Sequence, residues 1–336
     1  MTRFLKLAAL GLLGQPWLAR VLALGTEPRC IILMLHRFRS SNGDGSGHDP
    51  AQLRDLLVGL RRSKIALVDV DAAIHAMRGE GSSEPFPQRS IAFTVDDGYA
   101  DLVESGVPVF SEFDCPVTGY VVPGVIDGNC WFWWDQVDWI MRHTQVTSLS
   151  VELQQRLITV AWSDSASRQL AQNRLIARLK TAEHSALLQF VDAFARAAGV
   201  SIAIPAPARY RVLSWDELRA AERRGVRFGA HSMTHPILSR CSAAQSAYEI
   251  GESVRRVNQE LTNPSKVFCY PNGRADDFGL REMASVRAAG LDAAVSSAPG
   301  VLRDRGHRAH DAHRQLAVPR FSSVEHLGHI TRIFLG

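Results

Sequence analysis

The sequence predicts an α/β protein with a mostly parallel sheet, closed as a barrel or left open. Three observations predict it. Short apolar runs alternate with amphipathic segments along most of the chain. The runs are nearly continuous in apolar residues, as in strands covered on both faces. Polar clusters stand directly behind several of them: His36, Asp96-Asp97, His231 and Asn272. Ligands in such folds gather at the carboxyl ends of strands, so these clusters belong on one rim.

The elements follow in order. Cys30 to Leu35 reads as a buried strand. A Gly/Ser/Asp-rich loop from Ser40 to Asp49 leads into an amphipathic helix over Ala51 to Arg62, with Leu53, Leu56, Leu57 and Leu60 on one face. Ile65 to Val70 reads as a strand, Ala72 to Met77 as a short helix, and Ser90 to Val95 and Pro116 to Val122 as strands. Four of the seven tryptophans, Trp131, Trp133, Trp134 and Trp139, open a segment that is helical in pattern to about Val200, with no strand signal. Their spacing favours core packing over stacking on sugar rings.

Ser214 and Glu217 form a capping-box pattern for a helix to Arg224. Arg227 to Ala230 is a strand, Ser239 to Leu261 a long helix, and Lys266 to Tyr270 a strand. A helix over Asp277 to Ala289 ends at Gly290. Leu291 to Val295 and Gln315 to Phe321 read as the last strands, with a helix over 323–336.

Composition narrows the function. The chain has 336 residues, 46% hydrophobic and 21% charged, enough to bury a core unaided. Its net charge of +4 is weak and no block of like charges occurs, which argues against nucleic acid as a partner. Five scattered cysteines without a CxxC argue against a disulfide framework or a zinc finger and suit a reducing compartment. Segment 1–28 carries Arg3 and Lys6 before an apolar stretch that Gln15, Pro16 and Arg20 interrupt. The apolar run, Leu7 to Gly14, is too short to span a bilayer and no clear cleavage site follows, so an amphipathic helix packed on the domain or on a membrane surface is preferred over a signal peptide. The expectation is a cytoplasmic protein, with peripheral membrane association through this segment and an exported form both left open.

Two patterns carry chemistry. Asp96-Asp97-Gly98 follows one strand, and His231-Ser232-Met233-Thr234-His235-Pro236 follows another. Two histidines four apart can share an ion, here from a loop because Pro236 follows directly. With one carboxylate they make a common catalytic-zinc ligand set that leaves a position for water. A second, adjacent carboxylate can then serve as general base.

These residues resemble the motifs of polysaccharide deacetylases of the NodB-homology type. Thr94-Val95-Asp96-Asp97-Gly98 is similar to their T-F-D-D-G, and His231 to His235 to their H-[ST]-x-x-H. Phe268-Cys269-Tyr270-Pro271-Asn272-Gly273 looks like the third motif. Leu33-Met34-Leu35-His36-Arg37, Leu213 to Glu217 and Val318-Pro319-Arg320 resemble features of one branch of the family. The resemblance runs in order over about residues 30 to 322.

It implies a distorted or incomplete (β/α) barrel, here a domain over 29–322 with a helical insertion at about 130–200. It implies removal of N-acetyl groups from an N-acetylhexosamine polysaccharide, oligosaccharide or lipid-linked glycan. Asp97, His231 and His235 would bind a divalent ion, zinc first; Asp96 would be the base, and the Asn272 backbone N–H would hold the oxyanion. Two positions depart from the pattern. Cys269 stands where the family has the arginine that orients the base, and Arg320 is the candidate to supply that charge. The Leu-x-His of the general acid has only a formal match, Leu327-Gly328-His329; His36 is the alternative acid or substrate contact, with a strand-end histidine bonded to backbone as its plain alternative. His307, His310 and His313 read as exposed loop residues. The competing functions are an O-acetyl esterase or non-sugar amidohydrolase with the same metal site, and a non-catalytic glycan-binding module.

Overall fold

The computed structural model describes residues 28–39, 47–77, 86–128, 130–291, 293–303 and 316–322. The segment expected over 1–28 (all but its last residue), the helix over 323–336, the match at Leu327-Gly328-His329, and His307, His310 and His313 lie outside the described residues.

Strand β1 (Arg29–Leu35) is buried almost throughout. Helix α1 (Pro50–Arg62) follows, capped by the Asp49 carboxylate and burying Leu53, Leu57 and Leu60. Strand β2 is only Ala66–Leu67. The strand expected to Val70 stops early because Asp69 accepts from the Ala72 N–H and starts α2 (Val70–Ala76). Strand β3 (Arg89–Val95) leads through a π-helical turn, Leu102–Gly106, into α3 (Val107–Ser111). Strand β4 (Val117–Val121) and the short α4 (Pro123–Ile126) come next.

The insertion is not all helical. Between α5 (Trp133–His143) and α6 (Ser165–Leu179) lies an antiparallel hairpin of β5 (Ser148–Leu153) and β6 (Arg156–Ala161). In β5 the buried Leu149, Val151 and Leu153 alternate with exposed residues, which is a strand period. Gln154 and Gln155 turn the hairpin with φ of 48° and 65°. A turn with positive φ at both central residues usually carries Asn or Gly, so this hairpin lacks its usual sequence mark. Helix α7 (His184–Ala197) closes the segment, and its Phe190, Val191 and Phe194 pack with Val137, Ile140 and the hairpin in a core of their own.

Beyond it, α8 (Trp215–Glu222) has the expected Ser214–Glu217 capping box. Strand β7 (Arg227–Ala230) precedes a 3-10 turn, Leu238–Arg240, and α9 (Ala243–Glu260). The single helix expected from Ser239 is divided because the Ser242 side chain caps a new start by accepting from Gln245. Strand β8 (Val267–Cys269), α10 (Leu280–Ala288), β9 (Ala293–Val295), β10 (Leu302–Arg303) and β11 (Phe321–Ser322) complete the described fold.

Strands β1, β3, β4 and β7 lie side by side and parallel, and β8 pairs with β9 as a separate parallel couple. Residues 316–322 bridge the two groups. Val318 pairs with Val295 of β9, while Phe321 pairs with Leu33 of β1. This explains why the strand expected over Gln315 to Phe321 is broken up: the segment serves two neighbours in turn. The result is a curled, incomplete barrel with an apolar core on both faces of the sheet.

Candidate metal centre

Parallel register puts His36, Asp96 and His231 at one end of the sheet. The Asp96 N–H donates to the Leu35 carbonyl, and the His231 N–H to that of Val121. Asp97, Ser232, His235 and Asn272 all have positive φ, and they are half of the eight described non-glycine residues that do. Such conformations persist only where the surroundings hold them, and they gather at functional sites. Here the Ser232 hydroxyl accepts from the His235 N–H at 3.0 Å, and the Glu249 carboxylate takes the Thr234 N–H and hydroxyl at 2.8 and 2.6 Å. Gly273, at φ +65°, is crowded where a side chain would begin by the Ser297 nitrogen and the Tyr270 carbonyl oxygen, each at 3.0 Å.

Three ligand atoms converge. His231 Nε2 is 3.1 Å from His235 Nε2, and the two lie 3.6 and 3.4 Å from Asp97 Oδ1. Donors about 2.0–2.1 Å from one tetrahedral ion stand about 3.3 Å apart, so the trio fits a single ion of zinc's size. His231 Nδ1 lies 2.8 Å from the Cys269 carbonyl oxygen. That contact places the ring proton on Nδ1 and leaves the Nε2 lone pair for a metal. Burial, with the neighbouring His235, pushes His231 down to about 4. Burial alone would raise Asp97, but its hydrogen bond with His235 and the surrounding histidines hold it well below the usual carboxylate range. Neutral imidazole beside ionised carboxylate is the protonation state a metal requires.

Asp96 belongs to a second cluster. Arg320 grips it with two parallel bonds, Nη1 to Oδ1 at 2.7 Å and Nη2 to Oδ2 at 2.8 Å. The guanidinium is fully used. It also donates to Thr94 Oγ1, the Ser296 carbonyl and Cys269 Sγ. Burial works against ionising Asp96, yet the charges of Arg320, His231 and His36 lower its pKa. The small Cys269 thiol at 3.1 Å leaves room for a guanidinium arriving from elsewhere in the chain. His36 is half-buried and close enough for its charge to act on both Asp96 and Asp97.

Asn272 is held on three sides. Its Oδ1 accepts from Lys180 Nζ at 2.7 Å, its amide donates to Asp277, and its carbonyl accepts from the Ser297 hydroxyl at 2.8 Å. Among the described residues its own backbone N–H finds no acceptor.

The insertion supplies a wall that no motif announced. Trp134 sets its ring edge-on to His235 at 4.7 Å and donates Nε1 to the Tyr99 hydroxyl at 3.0 Å. Tyr99 in turn donates to the buried Asp135 at 2.7 Å. Lys180 reaches Asn272, and His184 is buried close enough to His235 for the two rings to interact electrostatically. The core packing expected of the tryptophans holds for Trp131 and Trp133, which are buried, while Trp134 and Trp139 are half-buried.

A sequence profile of the polysaccharide deacetylase family matches residues 83–292. The chain belongs to the polysaccharide deacetylase family. It is an enzyme that removes acetyl groups from glycans, and the family is generally metal-dependent. A search of the curated proteins finds no match. Among solved structures the deacetylase fold recurs at low identity. The deacetylase PplD of Streptococcus pyogenes, in complex with acetate, is 13% identical with a TM-score of 0.57, over 92% of this chain and 99% of that one. IcaB from Ammonifex degensii is also 13% identical at 0.57, over 92% and 98%. The BpsB deacetylase domain from Bordetella bronchiseptica is 15% identical at 0.50, over 88% and 95%.

Proposed function

We propose that this deacetylase is a metal-dependent hydrolase of N-acetyl groups on N-acetylhexosamine-containing glycans. The observation that carries the reading is the convergence of Asp97, His231 and His235 within 3.1–3.6 Å beside an ionised, arginine-clamped Asp96. The nitrogen-rich donor set suits zinc. A divalent ion held there would polarise the acetyl carbonyl and lower the pKa of a water.

The chain's own groups do the rest. Asp96 takes the proton of the attacking water while Arg320 keeps both of its oxygens oriented. The Asn272 backbone N–H faces the negative charge that develops on the acetyl oxygen. His36, at the end of β1, returns a proton to the departing amine. The carbon–nitrogen bond breaks, and acetate and a free amino sugar leave.

Acetate release from N-acetylglucosamine oligomers by metal-loaded protein tests this, with matched O-acetylated sugars as the comparison. N-acetyl turnover that vanishes with a chelator and returns with zinc is the expected result. Turnover of the O-acetyl set alone, or none from either, would overturn it.

A further inference from the structure

Away from the metal centre, the outer face of the insertion has an unusual charge. The hairpin and α6, residues 148–180, hold Arg156, Arg168, Arg174, Arg178 and Lys180 against two acids, Asp164 and Glu152, the latter opposite Leu157, a net +3 beside +4 for the whole chain. Arg156, Arg174 and Arg178 are exposed, and among the described residues none of the four arginines joins an ion pair.

The same face is apolar. Leu157 at the start of β6 is 71% exposed, and Leu170 on α6 is 50% exposed. Between β6, from Leu157 to Ala161, and Ala171, Arg174, Leu175 and Arg178 of α6 lies a cavity of about 340 Å³. Arg174 and Arg178 are one helical turn apart, so both guanidiniums stand on the side of α6 that walls this groove. Strand β6 has no partner but β5 among the described residues.

We propose that this face docks on the surface of an anionic phospholipid bilayer. Unpaired guanidiniums grip phosphate oxygens in two-point fashion, and exposed leucines sink into the boundary between headgroups and acyl chains. The leucines decide between occupants: a charged polysaccharide would satisfy the arginines but has no use for Leu157 and Leu170. Docking there brings the metal centre close to the membrane, because α6 runs directly into Lys180, which touches Asn272.

The test is co-sedimentation of the full chain with vesicles of phosphatidylcholine alone or mixed with phosphatidylglycerol. The wild type binds the anionic vesicles and releases from them as salt rises. Arg174→Glu with Arg178→Glu weakens that binding at least about tenfold, and Leu157→Ser weakens it several-fold. Unchanged melting of the variants and unchanged acetate release from soluble substrate show that the fold and the metal centre are intact. Equal binding to both vesicle types, or vesicle binding that survives the arginine reversals and so rests on segment 1–28, would overturn the proposal. So would preference for a soluble anionic polysaccharide without vesicle binding, or association of copies through this face.

Discussion

The strand-end rim and the inserted wall meet at one site but are built differently. Asp96, Asp97, His231 and His235 sit on short turns behind β3 and β7, nearly all buried, with positive φ at Asp97 and His235. Lys180, His184 and Trp134 reach the same place from helices with a separate core, through one hydrogen bond, one electrostatic interaction and one ring edge. The rim's geometry is dictated by backbone that neighbours hold from several sides. The wall's geometry is set by how a second folding unit leans against the first. In the proposed mechanism the rim carries the chemistry, and the wall tunes its surroundings.

The comparison breaks most sharply at the rim. Asp96→Asn should lower kcat by about 10²–10⁴-fold with metal still bound. Asp97→Ala should lose stoichiometric metal as well as activity, so metal content measured beside rate separates the two aspartates.

Arg320→Met comes next. It strands a buried carboxylate, so stability falls by about 3–5 kcal/mol in chemical denaturation. Arg320 holds the Asp96 pKa down. Removing it raises that pKa, and the acidic limb of the pH–rate profile moves to higher pH. A stability loss with an unmoved limb would deny Arg320 its part in catalysis.

On the wall, Lys180→Met should lower kcat roughly tenfold with little change in KM or metal content, because a loosened Asn272 misplaces its amide. Lys180→Arg should restore part of the rate.

The smallest effect sits behind Trp134. Burial raises the Asp135 carboxyl from 3.8 to about 7. A raised acid contributes stability that is complete below its unfolded pKa and disappears as pH rises through the folded one. His48, His184 and His231, each lowered by burial to about 4, act in the opposite sense over the same window, so the effect is read as a difference: Asp135→Asn should gain melting temperature relative to the wild type as pH rises from about 4 to 7.

The difference between the regions also governs what the sequence reveals. Asp96-Asp97-Gly98 and His231 to His235 are legible because each is a short segment whose spacing is itself the geometry. The Asn272 turn is legible through Pro271 and Gly273, which a tight turn demands. Arg320 is legible through Val318-Pro319-Arg320 as the candidate for the charge missing at Cys269, but its grip on Asp96 is not, since that bond spans 224 residues of chain. Lys180 had no signal at all: an isolated lysine at a helix end resembles any solvated one, and only the packing of the insertion brings it to Asn272. The β5–β6 hairpin was hidden because glutamines occupy its turn.

The Arg320–Asp96 clamp has a bearing on synthesis. When the growing polypeptide has emerged as far as Ser297, every proposed metal ligand and Asp96 have been made, but the cation that neutralises Asp96 has not. Until residues 316–322 arrive and pair with β9 and β1, Asp96 has no permanent counter-ion and the two strand groups are unbridged. Neutralisation of Asp96 and the bridging of the two strand groups are therefore the same late event, and a chain cut short before that segment would lack both.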